Sequence, residues 1–88
     1  MIILTHPNFS KNFKKRIKLN SRLVKRFQNR IHLFAENSKH PTLKDHQLSR
    51  TKKRLRSFSI TGDIRIVYQQ ISKNKILLLD IGSHNQVY

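Results

Sequence analysis

The sequence has no cysteine and no tryptophan, and it has only two glycines, two prolines and four acids in 88 residues. Without cysteine there is no disulfide framework and no thiolate metal centre, and the chain suits a reducing compartment. Its apolar runs fall far short of the ~20 residues a membrane-spanning helix needs. The opening Met1-Ile2-Ile3-Leu4-Thr5 is too short for a secretory signal and has no basic n-region. A cytoplasmic protein with no membrane partner is therefore expected. The acids Glu36, Asp45, Asp63 and Asp80 include no pair spaced like a hydrolytic carboxylate couple or a magnesium site. A His-Glu-x-x-His motif and a glycine-rich phosphate loop are missing too. These absences argue against a metal-dependent nuclease, and neither a metal nor a small-molecule cofactor is expected.

Positive charge is what the chain has in excess. Nineteen Lys and Arg face four acids, giving a net charge of +15. Such an imbalance raises the cost of compaction by self-repulsion and attracts polyanions, so nucleic acid or an acidic protein is the expected partner. The length allows one domain with one small core, which buries about 60–65% of the unfolded surface.

Hydrophobic spacing divides the chain. Ile2 to Leu4 reads as a short strand. Pro7 fits the first turn of a helix, where its missing N–H costs nothing. Phe9, Phe13 and Ile17 then recur on one helical face. Asn20 or Ser21 can cap a second helix, whose stripe is Leu23, Val24, Phe27, Ile31, Phe34 and Ala35, and Asn37-Ser38 ends it. From Lys39 to Lys53 there is no apolar periodicity, which predicts a long polar loop of the kind that is often functional. Beyond Arg54, three runs rich in β-branched and aromatic residues predict an antiparallel meander. Gly62, free to take a positive φ, makes the first connection tight, and Ser72-Lys73-Asn74 makes the second. On the middle run Ile64, Ile66 and Tyr68 share one face, while Arg65, Val67 and Gln69 share the other. The expected architecture is an α+β domain over residues 1–88, with two N-terminal helices packed on a small antiparallel sheet of about four strands.

The remaining chemistry-bearing residues fit metal-free RNA cleavage. That reaction needs a base for the ribose 2′-OH, an acid for the leaving 5′-oxygen and a cation for the phosphorane. Histidine suits the first two and arginine the third. His46 in the loop and His84 after the last strand are the candidate pair, with Arg65 as the clamp. Asp63 could orient a histidine or the arginine, and Tyr88 could stack on a base. Simpler readings stand beside these: a solvated His46, a His84 that caps the sheet, an Arg65 at a sheet edge, an Asp63 that merely makes a turn. Lys44, Arg50, Lys52, Lys53, Arg54 and Arg56 are the candidate RNA-binding cations. His6, His32 and His40 read as surface or capping residues.

The pattern Asp45-His46-x-Leu48, then Gly62-Asp63-Ile64-Arg65-Ile66-Val67-Tyr68, then Leu79-Asp80-Ile81-Gly82-Ser83-His84-x-x-Val87-Tyr88, resembles the RelE/ParE superfamily of bacterial toxins. The likeness is greatest to the YafQ branch of RelE-type mRNA interferases and covers essentially the whole chain. It implies a ribosome-dependent endoribonuclease acting on mRNA in the A site of the 70S ribosome, in contact with 16S rRNA and silenced by a cognate acidic antitoxin. By matching position it makes His46 and His84 the acid–base histidines, Asp63 the catalytic aspartate, Arg65 the phosphate-contacting arginine and Tyr88 the C-terminal aromatic. The branch usually carries a third histidine where this chain has Ser59, and a tryptophan where it has Ile64. Two other readings are a ParE-like inhibitor of DNA gyrase, which shares the fold, and a catalytically silent RNA-binding protein.

Overall fold

Each helix starts where local chemistry makes a start cheap. In the computed structural model, which describes residues 1–48 and 54–88, strand β1 (Ile2–Thr5) leads to His6, whose Nδ1 accepts the Asn8 N–H at 3.0 Å and caps helix α1 (Pro7–Arg16). Pro7 occupies the first turn, where no N–H is required. Lys14, Lys15 and Arg16 fill the last turn, where cations complement the helix dipole. Asn20 caps helix α2 (Ser21–Glu36) by accepting the Arg22 and Leu23 N–H groups at 3.1 and 3.2 Å. His40 caps a 3₁₀ turn (Pro41–Leu43) in the same manner as His6. His32 sits one helical turn before Glu36 and pairs with it at 2.9 Å.

The sheet, among the described residues, has the order β1-β5-β4-β3-β2, with β2 at His46–Gln47, β3 at Leu55–Ser59, β4 at Ile64–Ser72 and β5 at Lys75–Ser83. The α+β class and the helical layer are as the sequence predicts. Two details differ. The N-terminal strand β1 pairs parallel to β5, so the sheet is mixed. The expected loop also carries a 3₁₀ turn and the short strand β2, which pairs antiparallel to β3 with His46 opposite Ser57. A four-residue helix, α3 (His84–Val87), follows β5.

The turns correct the sequence reading. No glycine has a positive φ. The β3–β4 connection is instead shaped by Thr61, whose Oγ1 accepts the Asp63 and Ile64 N–H groups at 3.2 and 3.0 Å. The β4–β5 loop shrinks to Lys73-Asn74, because Ser72 pairs with Lys75. Ala35, placed in the buried stripe by spacing, is exposed, and Leu33 packs against the core.

Two aromatic groups hold the layers together. Phe13 and Phe27, with ring centroids 4.9 Å apart, join α1 to α2, and Phe9 lies 6.1 Å from Phe27. Phe34 joins α2 to the sheet, stacked on Phe58 at 4.6 Å and edge-on to Tyr68 at 5.1 Å. Register puts Phe58 opposite Ile66 and Arg56 opposite Tyr68, so this alternate set faces the helices. Ser57, Ser59 and Arg65 fall on the other face. At the far side of the sheet, Arg16 and Asn12 both donate to Asp80, at 3.3 and 2.7 Å, and tie α1 to β5.

Phe34 is 1% exposed, so truncation opens a cavity at the joint between α2 and the sheet. Phe34→Ala should cost about 3–5 kcal/mol, a large share of what so small a domain has. Urea unfolding followed by far-UV circular dichroism would show it as a fall in the midpoint.

Candidate functional site

The outer face of the sheet is organised around Arg65. Strand β4 presents its guanidinium between β3 and the 3₁₀–β2 segment. Nε donates to Tyr88 Oη at 2.7 Å and to Ser57 Oγ at 3.2 Å. Nη1 donates to Ser59 Oγ at 2.7 Å. Nη2 donates to the Lys44 carbonyl at 3.0 Å and to Ser57 Oγ at 3.1 Å, and lies 3.3 Å from His46 Nδ1. Every one of these partners is neutral or an imidazole.

All four acids lie among the described residues, and none of them pairs with Arg65. Asp45 is taken by Arg56, Asp80 by Arg16, and Glu36 by His32. Asp63 stands exposed in the β3–β4 turn, its carboxylate without a hydrogen bond or ion pair among the described residues. The guanidinium is thus held in place by oxygen acceptors while its charge stays uncompensated, which is what an anion-binding group requires.

His46 Nδ1 has two contacts that belong to different tautomers. When Nδ1 carries the proton it donates to the Lys44 carbonyl at 3.1 Å, and Nε2 is a lone-pair base. When Nδ1 accepts from Arg65, the proton sits on Nε2, which is then a hydrogen-bond donor. With Nδ1–H on the Lys44 carbonyl the ring can take a proton at Nε2, and the imidazolium so formed can give it back.

His84 and Tyr88 are positioned by α3. The turn is started by Ser83, whose N–H donates to Gln86 Oε1 at 2.8 Å, and closed by Tyr88 N–H donating to the His84 carbonyl at 3.0 Å. This i, i+4 spacing stacks the two rings edge to face, with centroids 4.4 Å apart. Gly82 lets the turn fold back closely. A Cβ there would lie 2.6 Å from Gln86 Oε1 and 2.8 Å from Arg16 Nη1, both atoms already engaged in hydrogen bonds. Tyr88 Oη also bonds Ser57 Oγ, so the last residue of the chain is fastened to the strand that carries the site.

A second network lies behind this one, on the helix-facing side. Arg56 grips Asp45 Oδ1 through Nε at 2.7 Å and Nη2 at 2.6 Å, and Tyr68 donates to Oδ2. Burial, reinforced by the hydrogen bond and charge of Asp45, pushes the Tyr68 phenol well above the ordinary tyrosine range. Burial opposes the charged form of Arg56, but the bond to Asp45 and its charge outweigh it.

The structure therefore brings together His46, Arg65, His84 and Tyr88 of the sequence-predicted site, and leaves Asp63 at the rim. Lys44 contributes its backbone carbonyl, and its side chain is exposed; Arg54 is exposed just before β3. The guanidinium of Arg56, expected to contact RNA, is engaged by Asp45. Arg50, Lys52 and Lys53 lie outside the described residues. Sequence reasoning missed Ser57, and it marked Ser59 only as the place of a family histidine. Their signal is the meander register, which places them across from Val67 and Arg65. Among the described residues no three His, Asp or Glu side chains cluster as a metal ion would need, and no helix is long and apolar enough to cross a membrane.

A mixed sheet with two basic helices on one face, and an arginine–histidine–tyrosine site on the other, is a fold this chain shares with solved bacterial toxins. Solved structures agree: a YoeB/ParE toxin from Agrobacterium tumefaciens superposes with a TM-score of 0.78 at 16% identity, over 96% of this chain and 99% of that one. The DinJ–YafQ complex of E. coli gives 0.80 at 20% identity, over 98% and 96% of the two chains. A metal-bound toxin from Helicobacter pylori gives 0.74 at 27% identity, over 100% and 99%. No curated protein matches the sequence. The model of the family described as "Bacterial toxin of type II toxin-antitoxin system, YafQ" matches residues 2–88, and the chain belongs to that family.

The raised phenol of Tyr68 has a consequence for stability at high pH. A group whose folded pKa lies above its unfolded value contributes stability below the unfolded value and loses it as pH rises. Stability should therefore hold up to about pH 10, the ordinary tyrosine value, and decline above it as the unfolded phenol ionises. Tyr68→Phe should be less stable at neutral pH and should flatten that alkaline decline. Thermal melts taken at increasing pH would test both effects, and an unchanged alkaline slope would remove Tyr68 from the account.

Proposed function

We propose that this toxin is a ribosome-dependent mRNA endoribonuclease that cleaves by metal-free acid–base chemistry. The observation that carries the reading is the uncompensated Arg65 guanidinium, held by neutral acceptors within reach of His46 and Tyr88. A phosphodiester laid against it would meet its uncompensated charge and the one N–H of Nη1 not already donated, an attraction that strengthens as charge builds on the phosphorane.

In the step we propose, a histidine base takes the 2′-OH proton and the 2′-oxygen attacks phosphorus. The bond to the 5′-oxygen breaks as an acid protonates that oxygen. The products are a 2′,3′-cyclic phosphate and a free 5′-hydroxyl. His46 and His84 share the two proton transfers. Tyr88 holds Arg65 and offers its ring to a neighbouring base. Asp63, at the turn, is left accessible to a bound strand, where its carboxylate can accept a hydrogen bond from substrate.

The test is induction of this chain in bacteria, with primer-extension mapping of a reporter mRNA. Codon-phased cuts that vanish when translation is blocked are expected. In purified translation complexes, His46→Ala and His84→Ala should each slow cleavage by roughly 10²–10⁴, the usual worth of one acid–base group. Arg65→Gln should cost roughly 10²–10³, as expected for one electrostatic donor at the phosphorane. Growth arrest without cuts, together with inhibited gyrase supercoiling, would replace this reading with the gyrase one.

The regulator in this proposal is an acidic antitoxin, by analogy with the DinJ–YafQ complex of E. coli. With +15 on the toxin, the association should be steered by charge. The association rate should fall steeply as salt rises from low to physiological ionic strength, as stopped-flow measurement would show. A rate insensitive to salt would rule out charge steering.

A further inference from the structure

We infer that the groove between α2 and the β3–β4 turn is a track for a single-stranded RNA backbone leading into the Arg65 site. The inference deepens the ribonuclease reading and rests on it. Two hollows, of about 340 and about 470 Å³, share Arg26 and Thr61 in their walls, so they lie side by side along one groove. The nearer hollow is lined by Arg26, Arg30 and Lys44 together with Thr42 and Thr61, and no acid lines it. The farther hollow continues the charge with Arg22 and Lys25.

The Arg30 Nε is buried and has no hydrogen-bond partner among the described residues. That nitrogen is closed to a bound phosphate, so Arg30 serves the hollow it lines through the charge of its guanidinium.

The groove is also continuous with the site. Its inner end is lined by Ser59, whose Oγ accepts from Arg65 Nη1 at 2.7 Å, and by Lys44, whose carbonyl accepts from Nη2 at 3.0 Å. A strand with one phosphate on Arg65 would place its neighbouring phosphates among these cations. An acidic protein helix suits the nearer hollow less well, because such a helix needs apolar seats. The one large apolar side chain lining that hollow, Ile60, is 0% exposed. Cations interleaved with hydroxyls match a sugar–phosphate chain.

The probe is a short unstructured oligoribonucleotide, 2′-O-methylated so that it cannot be cut. Arg26→Gln with Arg30→Gln should weaken its binding on the order of tenfold. The same pair should flatten the plot of log affinity against log salt by about 1.4, at ~0.7 for each phosphate no longer neutralised. Lys25 and Arg26 are both exposed. Lys25→Gln with Arg26→Gln should flatten the plot similarly without moving the thermal midpoint, so misfolding cannot account for the weaker binding. If both pairs leave affinity and slope unchanged while Arg65→Gln weakens the same oligonucleotide, the track is overturned and the ribonuclease reading stands. If the parent chain shows no salt-dependent binding, the RNA reading fails and the track with it. If the pairs lose affinity for poly-glutamate but not for RNA, the groove serves an acidic protein and the inference is likewise overturned.

Discussion

The carboxylate of Asp45 is the constraint on which the site depends. It accepts from Arg56 and from Tyr68, two residues paired across β3 and β4, and so fixes the chain just before His46 to the middle of the sheet. Lys44 and His46 flank it on the side of Arg65. An ion pair of this kind is weak evidence for stability, because desolvation offsets much of the attraction. Its worth here is geometric. A two-residue strand such as β2 has too few ladder hydrogen bonds to set its own position, and the two-point grip of Arg56 supplies the missing restraint. The helix-facing side of the sheet thereby determines where the chemical groups on the other face stand.

Charge is distributed to the same end. A chain of +15 gains from every internal pairing it can make, yet three of its four acids are engaged locally by Arg16, Arg56 and His32. Two of those three pairs tie one element to another, and none neutralises Arg65. The fold tolerates the remaining repulsion because its layers are joined by aromatic contacts that carry no charge, around Phe27 and around Phe34. Excess cations are left for the surface, where an anionic partner can use them.

Much of this was legible in the residues. Helix starts followed from Pro7 and Asn20, the core stripes from 3.6-residue spacing, and the outward face of Arg65 from alternation along β4. What escaped was set by tertiary pairing. The parallel docking of β1 beside β5 has no local signal, because a four-residue apolar run fits either direction. β2 was unreadable, since His46-Gln47 is extended only because β3 lies beside it. Gly62 invited a turn of positive φ, but the Thr61 hydroxyl satisfied the same backbone groups with ordinary dihedrals. Ser57 and Ser59 look like any polar strand residues until register sets them under a guanidinium. Asp45 and Asp63 are equally plausible carboxylates in one dimension, and packing separates them into an anchor and a rim residue.

Lys44 shows how closely fold and site are joined. It is the one residue with a positive φ among the described residues, at φ 49° and ψ 42°. A lysine in this left-handed region costs about 1 kcal/mol or more, and such a conformation persists only where its surroundings over-determine it. Here they do. The preceding 3₁₀ turn is closed by the Lys44 N–H donating to the Pro41 carbonyl at 3.1 Å, and Asp45 is clamped immediately after. Between these two restraints the chain must reverse. The reversal turns the Lys44 carbonyl toward Arg65 and His46 at the point where the residue also lines the basic groove. The strain at Lys44 is therefore the cost of turning one carbonyl onto both Arg65 and His46.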